Sequence, residues 1–405
     1  MSTRALRLAA ALSVAYAVTS FVSPCVAQNS AARTPASPTP SATMPAVVVT
    51  GARGPIAITD SWADVTVISR DEIQRSGQSS VIEILRGYAG VQITANGGPG
   101  STSNVFLRGA NPGQTVVLVD GMRISSSTTG TPSWWALPLA QIDRIEILRG
   151  PASSLYGADA IGGVVQIFTR VGDGPARLTG GLGYGSYDTV LGDAAVAGGD
   201  ERIRYSVRAG FGSSSGFNAI RNPRAFGFNP DRDGYQSFNV GGNVGVTLAR
   251  GHEIGVQAFE SRQDAEYDGG ANFDHRTKTT ARTAAISSTN QITGYWTSRL
   301  RLGETSDLND NIASPTSTTT FDSRQRQYAW QHDLRFGTFG VQAAIERREE
   351  RVSSTTQFAI KSRDTNAGLL LLRWTPGSHL IQASGRIDDD SQFGARSTGN
   401  LAYGY

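Results

Sequence analysis

The chain has 405 residues, 47 of them Gly, with a formal net charge of +3, one Cys and four His. That inventory excludes a disulfide scaffold and a His/Cys zinc domain, and the near-neutral charge argues against a nucleic-acid binder. Gly exceeds the roughly 7% of average proteins, and beyond the N-terminus no apolar run reaches the ~18 residues of a membrane helix.

Arg4 and Arg7 precede an apolar run over residues 8–22, and Cys25-Val26-Ala27 follows with a small residue for cleavage. This is the layout of a secretory signal peptide over residues 1–27. A membrane anchor would need a longer run, and Pro24 before Cys25 argues against a lipidated cysteine. Residues 28–46 are rich in Ala, Ser, Thr and Pro, and predict a flexible linker with too little apolar surface to fold. Val47, Val48, Val49 and Thr50 are four β-branched residues in a row, a strong strand former. They are either the first strand of the next domain or a strand kept available to a partner's sheet edge. Composition alone favours the first.

Residues 55–170 predict a small α+β domain. Residues 65–68 read as a strand, and Ser69-x-x-Glu72 and Ser80-x-x-Glu83 are capping boxes that open two short helices. Val81, Ile84, Leu85 and Tyr88 give the second helix one apolar stripe. Asp120-Gly121 between apolar runs is a type I′ hairpin signal, and residues 142–148 and 163–169 add strands. The Gly/Ser/Thr loops at 96–104 and 125–133 carry no acid–base pair.

Over residues 171–405 the period becomes two. Ile203, Tyr205, Val207, Ala209 and Phe211 alternate with Arg204, Ser206, Arg208 and Gly210, and similar runs recur to the end of the chain. There are roughly twelve, about eight to twelve residues each, the length a tilted membrane strand needs. Sandwich strands average only about five or six. The gap at Gly199-Asp200 is tight, whereas 213–235, 262–280 and 304–322 are polar and predict long loops. Short turns on one side and long loops on the other are the pattern of an outer-membrane barrel.

Asn229-Pro230-Asp231-Arg232-Asp233-Gly234 supplies hard oxygen ligands and a sharp turn, suited to calcium. From the motif alone an ordinary Asp-Gly turn is the favoured reading. Gly212-Ser213-Ser214-Ser215-Gly216 fits a hydrolase elbow, which needs a following helix. Residues 217–228 are rich in Asn, Pro and Gly, so no enzyme is predicted.

The Val-Val-Val-Thr box, Leu107-Arg108-Gly109, Val119-Asp120-Gly121 and Arg144-Ile145-Glu146-Ile147-Leu148-Arg149-Gly150-Pro151 together resemble the plug of TonB-dependent receptors. Leu155-Tyr156-Gly157-Ala158-Asp159-Ala160-Ile161-Gly162-Gly163 strengthens that resemblance. Within the family, Asn96-Gly97-Gly98-Pro99-Gly100 and Asp388-Asp389-Asp390-Ser391-Gln392-Phe393-Gly394 are more similar to cobalamin receptors than to siderophore receptors. The resemblance implies an all-β transmembrane barrel, about 12 of an implied 22 antiparallel strands, with an N-terminal α+β plug domain. The partial barrel would occupy 171–405 of a C-terminally truncated chain.

The resemblance further implies that residues 47–51 are a TonB box, which pairs with the TonB complex of the inner membrane. Its substrate would be cobalamin or another metal chelate, imported with the proton gradient across the outer membrane of a Gram-negative bacterium. A ferric-siderophore receptor and, in another class, a passive porin are the alternatives. Asn96, Gly97, Gly98, Ser101, Thr102, Ser103, Asn104, Thr128, Thr129 and Gly130 would be substrate-contacting plug apices, against a reading as plain turns. Asp231, Asp233, Glu266 and Asp274 would share calcium, weakened by Arg232 and by Asn218 in place of an acid. Arg108, Glu146 and Arg149 would pair with charges on the barrel wall. No covalent cofactor is implied.

Overall fold

The computed structural model describes residues 47–98, 100–270 and 273–405. The signal peptide and linker expected over residues 1–46 lie outside them.

The first part is α+β, as the sequence predicts. β1 (Val47–Val48) and β2 (Ile56–Ala57) form a small antiparallel hairpin. β3 (Asp64–Ile68) follows, then α1 (Arg70–Arg75) and α2 (Val81–Arg86). β4 (Val91–Ala95) and β5 (Ser103–Leu107) pair as a second hairpin, unforeseen in the Gly-rich stretch it contains. β6 (Thr115–Val119), β7 (Met122–Arg123), β8 (Ile142–Arg149), α3 (Ser153–Tyr156) and β9 (Gly163–Thr169) complete it. A five-stranded sheet runs β3-β8-β9-β6-β7, with β6 and β9 parallel.

Local chemistry explains these elements. At α1 both halves of the capping box form: Ser69 Oγ accepts from Glu72 N, and the Glu72 carboxylate accepts from Ser69 N at 2.8 Å. At α2 only one half forms, because Glu83 instead takes the amide and hydroxyl of Ser79, both at 2.8 Å. Each cap contributes about 1 kcal/mol. The β6–β7 turn has Asp120 at φ 47° and Gly121 at φ 79°, the left-handed pair a type I′ turn requires. The core lies between sheet and helices, where Ile68, Ile145, Ile147, Val165 and Ile167 meet Val81, Ile82 and Leu85 of α2.

The second part is one antiparallel sheet of twelve strands in chain order. Its first six strands are β10 (Arg177–Gly185), β11 (Thr189–Gly199), β12 (Ile203–Phe217), β13 (Asp233–Ala249), β14 (His252–Tyr267) and β15 (His275–Thr293). The other six are β16 (Trp296–Ser314), β17 (Ser317–Phe336), β18 (Phe339–Ser354), β19 (Ser362–Trp374), β20 (Leu380–Asp390) and β21 (Gly394–Gly404). β10 and β21 are its two edges and do not pair with one another.

Strand number agrees with the sequence reading, but strand length does not. β15, β16 and β17 have 19, 19 and 20 residues. The polar stretch 304–322, expected to be a loop, is paired between β16 and β17 up to Ser314↔Ser317, with one register shift after Ile312. Polar alternation outside the bilayer still satisfies backbone bonds, so the strands run on past the ~9–11 residues that span. The loops expected at 213–235 and 262–280 shrink to the gaps between β12 and β13 and between β14 and β15. Gly212-Ser213-Ser214-Ser215-Gly216 lies within β12, so no elbow exists there.

Burial is inverted relative to a water-soluble protein. Val207, Phe211, Val256, Ile286, Trp330, Ile345, Leu370 and Ile387 are exposed on the outer face. Ser206, Arg208, Ser261, Gln263, Ser323, Gln325, Gln342 and Arg386 are buried on the inner one. An apolar outside around a polar inside is what a strand needs with lipid on one side and a lumen on the other. The lumen holds the α+β domain as a plug.

Candidate functional site

Two ends of the sheet can be told apart. At one, consecutive strands turn tightly, as between Phe336 and Phe339; at the other stand the longer connections after Phe217 and Tyr267. The plug reaches both.

At the tight-turn end lies the 47–50 segment. Its β1–β2 pairing makes it a strand of the plug itself, not a free one, and Val48 and Thr50 are fully buried. One carboxylate oxygen, Glu146 Oε2, accepts from Val49 N at 2.9 Å, Thr50 N at 2.9 Å and Thr50 Oγ1 at 2.7 Å. Tyr156 donates its hydroxyl to Thr50 O at 2.9 Å. Glu146 is itself sealed from solvent, and its other oxygen accepts from Arg144 Nε at 3.0 Å. Just beyond, Arg53 pairs with Glu346 on the barrel wall, and Arg386 joins the same carboxylate at 2.7 Å. Arg335, one residue short of the Phe336–Phe339 turn, donates to Pro55 O at 3.1 Å.

The wall pairing expected of Arg108, Glu146 and Arg149 is therefore corrected. Arg108 and Arg149 share Asp64 within the plug at 2.6 and 3.3 Å, because β3 and β8 bring Asp64 opposite Arg149. Glu146 faces the 47–50 backbone. The plug–wall ion pairs are instead Arg53–Glu346 and Arg348–Asp159, the latter at 3.6 Å. Sequence reading missed Arg53 and Asp159 because charge alone does not tell which plug face meets the wall.

At the opposite end the β4–β5 hairpin presents Asn96 and Thr102 to solvent and Asn104 half-buried, with Gly97 and Gly100 also partly covered. Gly98, Ser101 and Ser103 are buried. Ser103 Oγ accepts from Trp135 Nε1 at 3.1 Å, so it supports the loop rather than facing outward. Gly100 takes φ 92°, and a Cβ there would stand 2.8 Å from Gln263 of β14, whose amide donates to Gly100 O at 2.8 Å. A second apex carries Thr129 and Gly130 exposed and Thr128 half-buried, anchored where Ser127 N donates to Ser323 Oγ at 3.2 Å.

Beside the first apex lies an acidic cluster. Carboxylate oxygens of Asp231, Asp233 and Asp268 all lie within 4.8 Å of one another. Asp231 and Asp233 were expected; Asp268 was not, although Asp268-Gly269 repeats the Asp-Gly signal. Glu266 and Asp274 stand at its margin. Glu266 accepts from Gly234 N at 3.2 Å and pairs with Arg276 at 3.4 Å, while Asp274 accepts from Asn229 Nδ2 at 3.3 Å. Arg232 does not oppose the cluster, since its nearest carboxylate is Asp188 at 4.0 Å. Asn218 donates to Asn229 O. Burial first, and then Asp274 beside it, push the Asp231 carboxyl above its usual range. Asp231 Oδ1 is buried with no hydrogen-bond partner. An orphaned oxygen among like charges suits a hard divalent cation, which would supply the missing positive charge.

Residues 57–164 match the family described as TonB-dependent Receptor Plug Domain. The chain as a whole is similar to TonB-dependent receptors. Its curated relatives include the vitamin B12 transporter BtuB of Photobacterium profundum, 28% identical over 89% of this chain and 59% of that one. BtuB of Vibrio cholerae is 29% identical over the same shares. The chain thus spans about three-fifths of the length of those relatives. Among solved structures, a point mutant of the ferric enterobactin receptor PfeA of Pseudomonas aeruginosa has a TM-score of 0.73 at 18% identity, covering 88% of this chain and 61% of its own. The siderophore receptor PirA of Acinetobacter baumannii has a TM-score of 0.71 at 18% identity, covering 84% and 58%. These structures share the receptor fold of a plug set against a barrel wall.

Proposed function

We propose that the protein is an outer-membrane receptor that binds cobalamin outside the cell and admits it under force from TonB. The observation that carries this reading is the placement of the 47–50 box and the two apices at opposite ends of one plug. A ligand docking on the apices acts on the same folded body that buries the box. No covalent bond changes: the work is binding, release of the box and displacement of the plug, driven by the proton gradient through TonB.

Calcium held by Asp231, Asp233 and Asp268, with Asp274 and Glu266 at the margin, would fix the loops 217–233 and 267–275 beside the first apex. Support for cobalamin as substrate comes from relatives named vitamin B12 transporters that align over most of this chain. A passive pore accounts poorly for a plug bonded to the wall at both ends. A ferric siderophore is the second reading, favoured by the excess of arginine in the cavity between plug and wall.

Growth on trace cobalamin, with and without Val48→Pro, tests the proposal. Proline removes an amide donor and opposes strand pairing, so growth should fail while surface binding of cyanocobalamin persists. Growth of the proline variant at the wild-type rate would overturn the role of the box. Binding of ferric enterobactin in place of cyanocobalamin would overturn the substrate.

A further inference from the structure

A cavity of about 660 Å³ runs between plug and wall, bounded by Pro55 and Arg299 toward the tight-turn end and by Arg363 and Phe393 toward the loop end. Nine arginines line it against four carboxylates. Most are neutralised: Arg53 and Arg386 by Glu346, Arg123 and Arg348 by Asp159, Arg299 by Asp333, Arg363 by Glu350 and Arg347 by Glu349. Among the described residues, Arg301 and Arg396 have no carboxylate partner. Arg396 is exposed on the edge strand β21. Arg301 projects from β16 toward the plug, where its one hydrogen bond is Nη1 to Gly121 O at 3.4 Å.

The plug is shaped to receive that guanidinium. A Cβ on Gly121 would meet Arg301 Nη1 and Cζ, so a side chain there would push the guanidinium aside. The adjacent Asp120 carboxylate offsets part of its charge but makes no ion pair with it. Asp120 accepts instead from Thr169 N at 2.8 Å and Thr169 Oγ1 at 2.6 Å. A cation kept in a cavity with carboxylates nearby but none in contact is costly, and a guanidinium fork matches anionic oxygen pairs.

We infer that Arg301, in its Gly121 cradle, is a transit subsite for an anionic oxygen group of the substrate as it passes between plug and wall. The inference rests on the uptake reading, and deepens it. Arg301 stands five residues from Trp296 at the tight-turn end of β16, while the apices stand at the other. Docking from outside should therefore not depend on it, whereas passage should. The phosphodiester of cobalamin and the catecholates of a ferric siderophore both offer this chemistry.

The test uses the full-length protein in its own outer membrane. Arg301→Gln is expected to leave cyanocobalamin affinity on de-energised cells within about twofold and to lower energised uptake about tenfold, the scale of one lost charge-assisted contact. Arg301→Lys should retain most uptake. Gly121→Ala crowds the guanidinium from the plug side, and in a variant whose melting temperature is unchanged despite the strained turn it should reproduce the loss. The same cells given ferric enterobactin separate the two sources of the anionic group. A second arm needs no substrate: inorganic phosphate should raise the melting temperature of the purified wild type saturably, beyond chloride at equal ionic strength, and Arg301→Gln should abolish the rise. Wild-type cells that bind neither ligand would overturn the uptake reading, and the phosphate arm would still test the subsite. Unchanged uptake in both Arg301→Gln and Gly121→Ala, or an unchanged phosphate effect, would overturn the subsite.

Discussion

Glu146→Gln should release the box. In the wild type a single buried carboxylate oxygen takes three donors, from Val49 N, Thr50 N and Thr50 Oγ1, at 2.9, 2.9 and 2.7 Å. Bonds to a charged acceptor contribute about 1.5–3 kcal/mol and bonds to a neutral one about 0.5–1.5. An amide oxygen in the same place therefore forfeits about 1 kcal/mol per bond, or about 3 kcal/mol in all. At about 1.4 kcal/mol per factor of ten, the ratio of released to docked box rises roughly a hundredfold. Arg144 keeps a second carboxylate, Asp143 at 3.8 Å, so the neighbouring charge is not stranded. A nitroxide on Val47→Cys, in a Cys25→Ser background, reports the docked and mobile populations by electron paramagnetic resonance. The mobile component should dominate in Glu146→Gln without added substrate. An unchanged docked spectrum in a variant of normal abundance and melting temperature would refute the reasoning, leaving the β1–β2 pairing and Tyr156 as the true restraints.

Thr102→Trp and Thr129→Trp place bulk on exposed apex positions and should weaken cyanocobalamin binding more than about tenfold at unchanged melting temperature, whereas Ser103→Trp should lower the melting temperature because Ser103 is buried against Trp135. Asp268→Asn should lower calcium affinity by at least about tenfold in calorimetric titration, and equal affinity would remove Asp268 from the site. The Asp231 carboxyl titrates above its ordinary range, so protons should displace calcium on acidification earlier than from an ordinary Asp, which titrates at about pH 4. For the same reason the metal-free loops should be more stable below that raised value and lose stability as pH climbs through it, a slope that saturating calcium should cancel. Ile147→Ala removes a fully buried plug side chain and should cost about 2–5 kcal/mol, read as protease sensitivity of the plug with the barrel strands intact.

The fold was legible because its signals are local. Dyad alternation is written into each strand, so counting runs gave the right number for the barrel wall. Asp120-Gly121 and Ser69-x-x-Glu72 specify their turn and cap with a few residues. Strand ends were not legible: beyond the bilayer the outer face turns polar, and β16 and β17 continue through Thr, Asn and Asp residues that read as loop. The site was half legible. Small polar residues marked both apices, yet nothing in sequence separates solvent-facing Thr102 from buried Ser103 beyond their alternation in the hairpin. The partners of Arg108, Arg149 and Glu146 depend on which strands of the plug adjoin, a long-range property. Asp268 lies one residue after β14 ends at Tyr267, and its Asp268-Gly269 pair is shared with many ordinary turns.

The most direct test of the account is the sidedness of two cysteines in intact cells. In the Cys25→Ser background, Thr129→Cys on the second apex should react with a membrane-impermeant maleimide from outside. Val47→Cys should react only once the outer membrane is permeabilised. Labelling of Val47→Cys in intact cells, or protection of Thr129→Cys from the outside, would contradict a plug that carries its ligand face and its box at opposite ends of a membrane-embedded wall.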